Sequence, residues 1–415
     1  MKVISLSLFL LSIVQFAHCQ IVNWRGINRD GNYVEEGLLR VWPEEGPELL
    51  FSVKDIGNGW SSAVASGNRV FISGKIDSME YLSAIDTEGN IEWQTAYGHG
   101  WDQAYPAARG SVTIDDERVY VVSGDGMLAC LHAEDGALLW SFDANKEFKA
   151  KVSPFGTAES PLIVGDKVLC TPTGESTTVV AFDKISGDIA WKSDVIEGEK
   201  AFCTPVLYSY KDFRYVLVGT TTRIAALIPE TGEIAWQYCH YDPQREKGTP
   251  GDGVCMVNSP IYKEDEIFIT KGYEYPAIML KMDSAGRSVS EKWISYTLDN
   301  EHGGVVLVGD HIFGANYINP SMGKWVCLNW DTGEVTYVHE WSNKGSIVTA
   351  DNMLYIYTQR NGDIALVRPN PDHFEMISTF QITEGKGQHW AHLSIYDGIM
   401  YARRGDILMA FSVRK

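Results

Sequence analysis

The chain has 415 residues, with 54 acidic side chains against 35 basic ones and a net charge of −19. A surface of that sign repels nucleic-acid phosphates and anionic lipid headgroups, which excludes both as partners. Its seven cysteines lack metal-ligand spacing, and beyond the N-terminal segment no run of eighteen apolar residues occurs, which argues against a zinc module and a helical membrane protein.

The first element is "MKVISLSLFLLSIVQFAHCQ". One Lys precedes an apolar stretch from Val3 to Phe16, and small or polar residues follow. This is the pattern of a secretory signal peptide over 1–19, too short to span a bilayer stably. Ala17 and Cys19 suit the −3 and −1 positions of a cleavage site, leaving Gln20 first. A lipid anchor on Cys19 is the alternative, with His18 standing where a small residue is wanted. The protein is expected to be exported, to the periplasm or beyond.

A repeated unit fills the rest. "AIDTEGNIEW" ends at Trp93, "CLHAEDGALLW" at Trp140, "AFDKISGDIAW" at Trp191 and "ALIPETGEIAW" at Trp236. Looser copies end at Trp293 and Tyr337, so the successive gaps are 47, 51, 45, 57 and 44 residues. Each copy reads as strand, tight turn, strand. An Asp or Thr side chain bonds the backbone of its own turn, and Gly supplies the positive φ. A period of this length means a solenoid or a propeller. Phe51 holds the same slot before Trp93, and a residue near Phe374 holds it after Tyr337, which makes eight units. The last unit, "AHLSIYD", "IMYARR" and "DILMAFSV", stops after three strands. Its fourth strand is the one at Phe51, so Glu48–Val53 should pair with Ile407–Val413 and leave no open sheet edge. The expected fold is all-β: one eight-bladed β-propeller of four-stranded blades over 20–415, monomeric, closed by an N-terminal strand.

Beyond the signal segment stand Cys130, Cys170, Cys203, Cys239, Cys255 and Cys327, mostly in strand contexts that suit buried free thiols. Cys239 and Cys255 flank one polar loop and are the pair with an opportunity to join. The charged insertion His240–Gly253, "HYDPQREKGTPGDG", reads as a partner surface, a lid or a plain long loop.

In a propeller the residue before each innermost strand faces the central axis at one mouth. Blade by blade this register gives Trp60-Ser61-Ser62, Arg109-Gly110-Ser111, Glu159-Ser160, Thr204, Asn258-Ser259, His302-Gly303, Lys344-Gly345-Ser346 and Ala391-His392. Five ionisable side chains, Arg109, Glu159, His302, Lys344 and His392, converge on one funnel. Trp60, Tyr105 and Trp390 lie outside the repeat motif and offer flat faces there.

The repeat resembles the PQQ-like β-propeller family across the mature chain. "NWRGINRDGNY", "GPELLFSV", "YPAARGS", "AESPLIVGDKVLCTP", "HGGVVLVGD" and "WAHLSIYDGIMY" are similar to exported bacterial members labelled polyvinyl-alcohol-dehydrogenase-like. The resemblance implies the fold. It leaves function open among quinone-dependent dehydrogenases, a non-enzymatic outer-membrane assembly scaffold and others.

Three functions follow as expectations. The first is cofactor-free β-elimination, of lyase or dehydratase type, on an acidic oligosaccharide. His302 and His392 exchange protons, with Lys344 and Glu159 beside them. Arg109 and Lys344 hold a carboxylate, and Asn258, Trp60, Tyr105 and Trp390 bind the sugar. It requires no metal. The second is PQQ with Ca²⁺ acting on an alcohol or polyol, which the resemblance would assign to Glu159, Asn258 and Lys344. Against it, His302 stands where an Asp ligand is expected, and the adjacent cysteine pair that packs on the quinone is missing. The third is a scaffold or binding module.

Overall fold

A computed structural model describes residues 21–242 and 257–415. The proposed signal segment 1–19, Cys255 and most of the 240–253 insertion lie outside the described residues. Those described form eight sheets around an axis, at 64–99, 113–143, 162–192, 206–239, 261–295, 305–339, 345–381 and 394–412. They are numbered here as blades one to eight. Strands run in chain order from the axis outward in the first seven blades. In blade eight the outermost strand is Glu48–Val53, antiparallel to Ile407–Ser412 with Phe51 opposite Ala410. The ring closes in the register expected from the repeat. The only helix among the described residues is Ala144–Glu147, so none is long and apolar enough to cross a membrane.

Middle strands are apolar on both faces, because each blade is sandwiched between two others. In blade two, Val119 and Val121 pack toward blade one, while Tyr120 and Val122 pack toward blade three. The buried apolar residues accordingly divide into eight clusters, one at each blade-to-blade interface. Cys130, Cys170, Cys203 and Cys327 are buried free thiols within this packing, whereas Cys239 is exposed.

The repeat aromatics interlock the blades. The ring of Trp140 lies under the turn glycine Gly187 of blade three, whose φ is +77°. Trp191 lies under Gly232 and Trp293 under Gly333 in the same way. The indole N–H groups of Trp93, Trp191 and Trp293 donate to Ala133, Pro229 and Trp330 carbonyls of the following blade, at 3.2, 3.0 and 2.9 Å. Blades four and five depart from this. Gly286 rests on Phe213 and Tyr215, and the Tyr215 hydroxyl donates to its carbonyl at 2.8 Å.

Phe374 does not fill the seventh outer slot. It precedes the strand Glu375–Gln381 and stacks on His339, with centroids 4.5 Å apart. By the position of the strand bulge, the slot belongs to Ser378, opposite Leu366. The ring under the turn glycine Gly46 is that of Phe380, with Trp42 packed edge-on against it and the Trp42 backbone N–H donating to Ser378 Oγ at 2.9 Å.

Candidate functional site

Crowding at the axis selects small residues, and their hydroxyls stitch the blades together. The backbone N–H of His392 donates to Ser62 Oγ at 3.0 Å, and that of Ser62 to Ser111 Oγ at 2.9 Å. Ser160 donates to Thr204 Oγ1 and Thr204 to Ser259 Oγ, both at 3.1 Å. The belt breaks at Gly303-Gly304, where no side chain is present to continue it.

An N-terminal strap repairs the break. Val22–Asn23 adds to the innermost strand of blade two, and Asn32–Tyr33 adds to that of blade seven. The segment between them crosses the axis. Buried Arg25 donates to the carbonyls of Val305 at 2.8 Å and Ile347 at 3.0 Å, and to His392 Nδ1 at 2.8 Å. Gly304, at φ +72°, leaves the room that this guanidinium occupies. Arg29 donates to the Ser160 and Pro161 carbonyls and to Thr113 Oγ1 on the other side. Sequence reasoning missed the strap, because it carries no repeat signal.

Above the strap opens a funnel of about 750 Å³. Eight aromatic side chains line it: Trp24, Trp60, Tyr105, Phe155, Phe202, Tyr273, Tyr275 and Trp390. Trp60 and Trp390 are 4.7 Å apart, Tyr105 and Trp390 5.3 Å, and Tyr105 stacks on Phe155 at 6.1 Å. Arg109, Glu159, Asn258, His302 and His392 also line it. Lys344 does not; it lies in a smaller pocket behind Glu301 and His302.

The polar candidates are engaged with the protein itself. Arg109 lies over Trp60 at 5.1 Å and donates to the Ala104, Tyr105 and Ala107 carbonyls, so it braces the aromatic loop and is no open fork for a carboxylate. Glu159 is 2% exposed and accepts from the Thr171 N–H and hydroxyl. Asn258 donates to the Asn300 and Glu301 carbonyls and accepts from Gly304 N–H. His392 is the largest correction. Burial, and then the Arg25 guanidinium, push its pKa well below the usual histidine range. Its Nδ1 accepts from Arg25 while its Nε2–H donates to the His302 carbonyl at 2.9 Å, so it is a neutral brace with no nitrogen left for proton transfer.

His302 remains in the wall, edge-on to Trp390, with Nδ1 3.5 Å from Glu301 Oε2. Glu301 was not among the expected residues, yet a Lys at a crowded axial position requires an anion. Lys344 is that Lys: 3% exposed, paired to Glu301 and 4.2 Å above the Tyr317 ring. Burial alone would raise the Glu301 pKa, but His302 and Lys344 outweigh it and hold it at about 2. A carboxyl depressed in the fold gives stability that is present above its unfolded pKa and lost as pH falls through the folded one. Glu301→Gln should therefore lower the melting temperature at pH 5–7, and the gap to wild type should narrow between roughly pH 4 and 2. A gap unchanged over that window would rule out this ion pair as its cause.

The residues present do not fit a Ca²⁺–quinone group. Ca²⁺ needs convergent oxygens. Glu159 turns its oxygens to the Thr171 N–H and hydroxyl, Asn258 turns its oxygen to the Gly304 N–H, His302 offers nitrogen, and Glu301 neutralises Lys344. Among the described residues, no three His, Cys, Asp or Glu side chains gather in metal-binding geometry.

The family model described as "Outer membrane protein assembly factor BamB" matches residues 78–338. The fold is similar to BamB from Moraxella catarrhalis, with TM-score 0.65 and 18% identity over 88% of this chain and 99% of that one. It is also similar to a quinohemoprotein alcohol dehydrogenase from Pseudomonas putida HK5, with TM-score 0.67 and 12% identity over 95% and 80%. A third, from Comamonas testosteroni, gives 0.65 and 13% over 94% and 79%. No curated protein matches the sequence.

Proposed function

The chain belongs to the PQQ-like β-propeller repeat family described for the assembly factor BamB, and on that premise we propose that it is an exported, non-catalytic recognition propeller. Its funnel holds a ligand with a flat ring face, such as a sugar. The observation that carries this is the division of labour at the mouth: Arg109 and Asn258 are consumed by backbone carbonyls and Glu159 by Thr171, while Trp60, Tyr105 and Trp390 line the cavity. Aromatic walls bind rings by area and stacking without needing titratable groups. Elimination chemistry loses its second proton carrier, since both ring nitrogens of His392 are engaged, one by Arg25 and the other by the His302 carbonyl. The BamB likeness supports a role in cell-envelope assembly or recognition; the dehydrogenase likeness concerns the fold.

Tryptophan fluorescence tests the reading. Neutral and acidic oligosaccharides should quench it saturably, and Trp390→Ala should weaken binding about tenfold, as the loss of one stacking partner implies. PQQ with Ca²⁺ should give no dye-linked alcohol oxidation. Robust PQQ-dependent dye reduction would replace this proposal with the dehydrogenase.

A further inference from the structure

Beside the funnel lies a pocket of about 10 Å³, room for one group the size of a water. Glu301, His302, Gln359 and Trp390 line both spaces, so the pocket adjoins the funnel along this stretch of wall. Asn300, Gln359 and His389 line it at 1%, 3% and 1% exposure. Each carries a buried polar atom without a protein partner: Asn300 Oδ1, Gln359 Oε1 and His389 Nε2.

All three atoms are acceptors. The Asn300 amide donates to the Ala315 carbonyl at 2.6 Å, which fixes Oδ1 on the other side. The Gln359 amide donates to the Pro320 carbonyl at 2.9 Å, which fixes Oε1 likewise. The Tyr357 hydroxyl has one proton, and the Arg403 carbonyl 3.1 Å away can only accept it. The His389 Nδ1, 2.5 Å from that hydroxyl oxygen, is therefore the donor of its pair, and Nε2 is bare. Burial, and then Arg404, keep this imidazole neutral by lowering its pKa to about 4.

A buried acceptor without a donor is costly, and a group that supplies donors relieves it. A hydroxyl brings one donor, a water two, and a primary ammonium three. None of these donors comes from Lys344, the ammonium on the pocket's own wall. The Lys344 ammonium is held on Glu301 and over Tyr317. We propose that this pocket binds a primary ammonium group carried by the ring-bearing ligand of the funnel. The ligand class is a primary amine with a flat ring: an amino sugar or an arylalkylamine. This rests on the funnel being a ring-binding site.

The test is calorimetry and tryptophan fluorescence at pH 7 with four probes: methylamine, tetramethylammonium, benzylamine and benzyl alcohol. Methylamine should bind and tetramethylammonium, which has no donors, should not. Benzylamine should bind at least about tenfold more tightly than benzyl alcohol, the scale of one hydrogen bond to a charged group. Gln359→Met, with folding checked by melting, should erase most of that preference. Equal binding of benzylamine and benzyl alcohol overturns the ammonium pocket and leaves the ring site standing. Methylamine binding with no gain from the ring supports the pocket and overturns the ring site. Absence of any amine binding overturns the pocket, and the wild-type probe series decides this even if the variant does not fold.

Discussion

Arg25→Met should cost the ring about 3–5 kcal/mol, more than any substitution of an exposed charge. Methionine keeps much of the side-chain length but donates nothing. The Val305 and Ile347 carbonyls and the His392 Nδ1 would lose their donor in a buried setting. Each orphaned acceptor costs about 1–3 kcal/mol, partly offset because the arginine itself no longer has to be desolvated. Arg25 is 3% exposed, and burial lowers its pKa to about 10, so at neutral pH it is still a buried cation. The backbone at this position has φ 61°, a strain common to both residues, so the change isolates the guanidinium. Arg368→Ala serves as the comparison, since its pair with Glu375 sits at the surface and is worth below about 1 kcal/mol. Urea unfolding of both variants against wild type is the measurement. If Arg25→Met is no less stable than Arg368→Ala, the strap is ornamental to the ring.

The same arginine shows where sequence reading stops. The eight units, the closure at Phe51 and the axial register were legible because each repeats a local pattern, and ring symmetry multiplies it. The aromatics Trp60, Tyr105 and Trp390 could be singled out because the repeat does not require them. What was not legible is which partner each polar atom takes. Arg25 and His392 are 367 positions apart, and their contact exists only because the strap crosses a closed ring. His392 at an axial position reads as a proton carrier until the guanidinium on one nitrogen and a carbonyl on the other are seen. Arg109 reads as a carboxylate fork until the carbonyls of its own loop are seen to fill it. Phe374 was misassigned because a spacing of 37 residues cannot say which side of a β-bulge holds the slot. Glu301 lies one residue before the expected axial position, and only the burial of Lys344 calls for it.

The interlock of aromatic and turn glycine is expected to give the other large effect. Trp293→Ala should destabilise by about 3–5 kcal/mol, the usual cost of removing a packed aromatic. It also removes the donor to the Trp330 carbonyl. Gly333→Ala should cost about 1–2 kcal/mol for a Cβ at φ +71°. It should cost a further ~1–3 kcal/mol, because that Cβ would lie 2.5 Å from the Trp293 ring. The second term exists only while the ring is present. The double variant should therefore be more stable than the sum of the singles by about 1–3 kcal/mol, while the φ penalty persists. Gly309 supplies the control, since it has φ +63° and nothing within 4 Å of an added Cβ. Gly309→Ala should show only the backbone penalty and add to Trp293→Ala without coupling. Equilibrium unfolding of the five variants gives both cycles. Strict additivity of Trp293→Ala with Gly333→Ala would mean that the ring and the turn do not bear on each other, and that the blades are joined by their apolar faces alone.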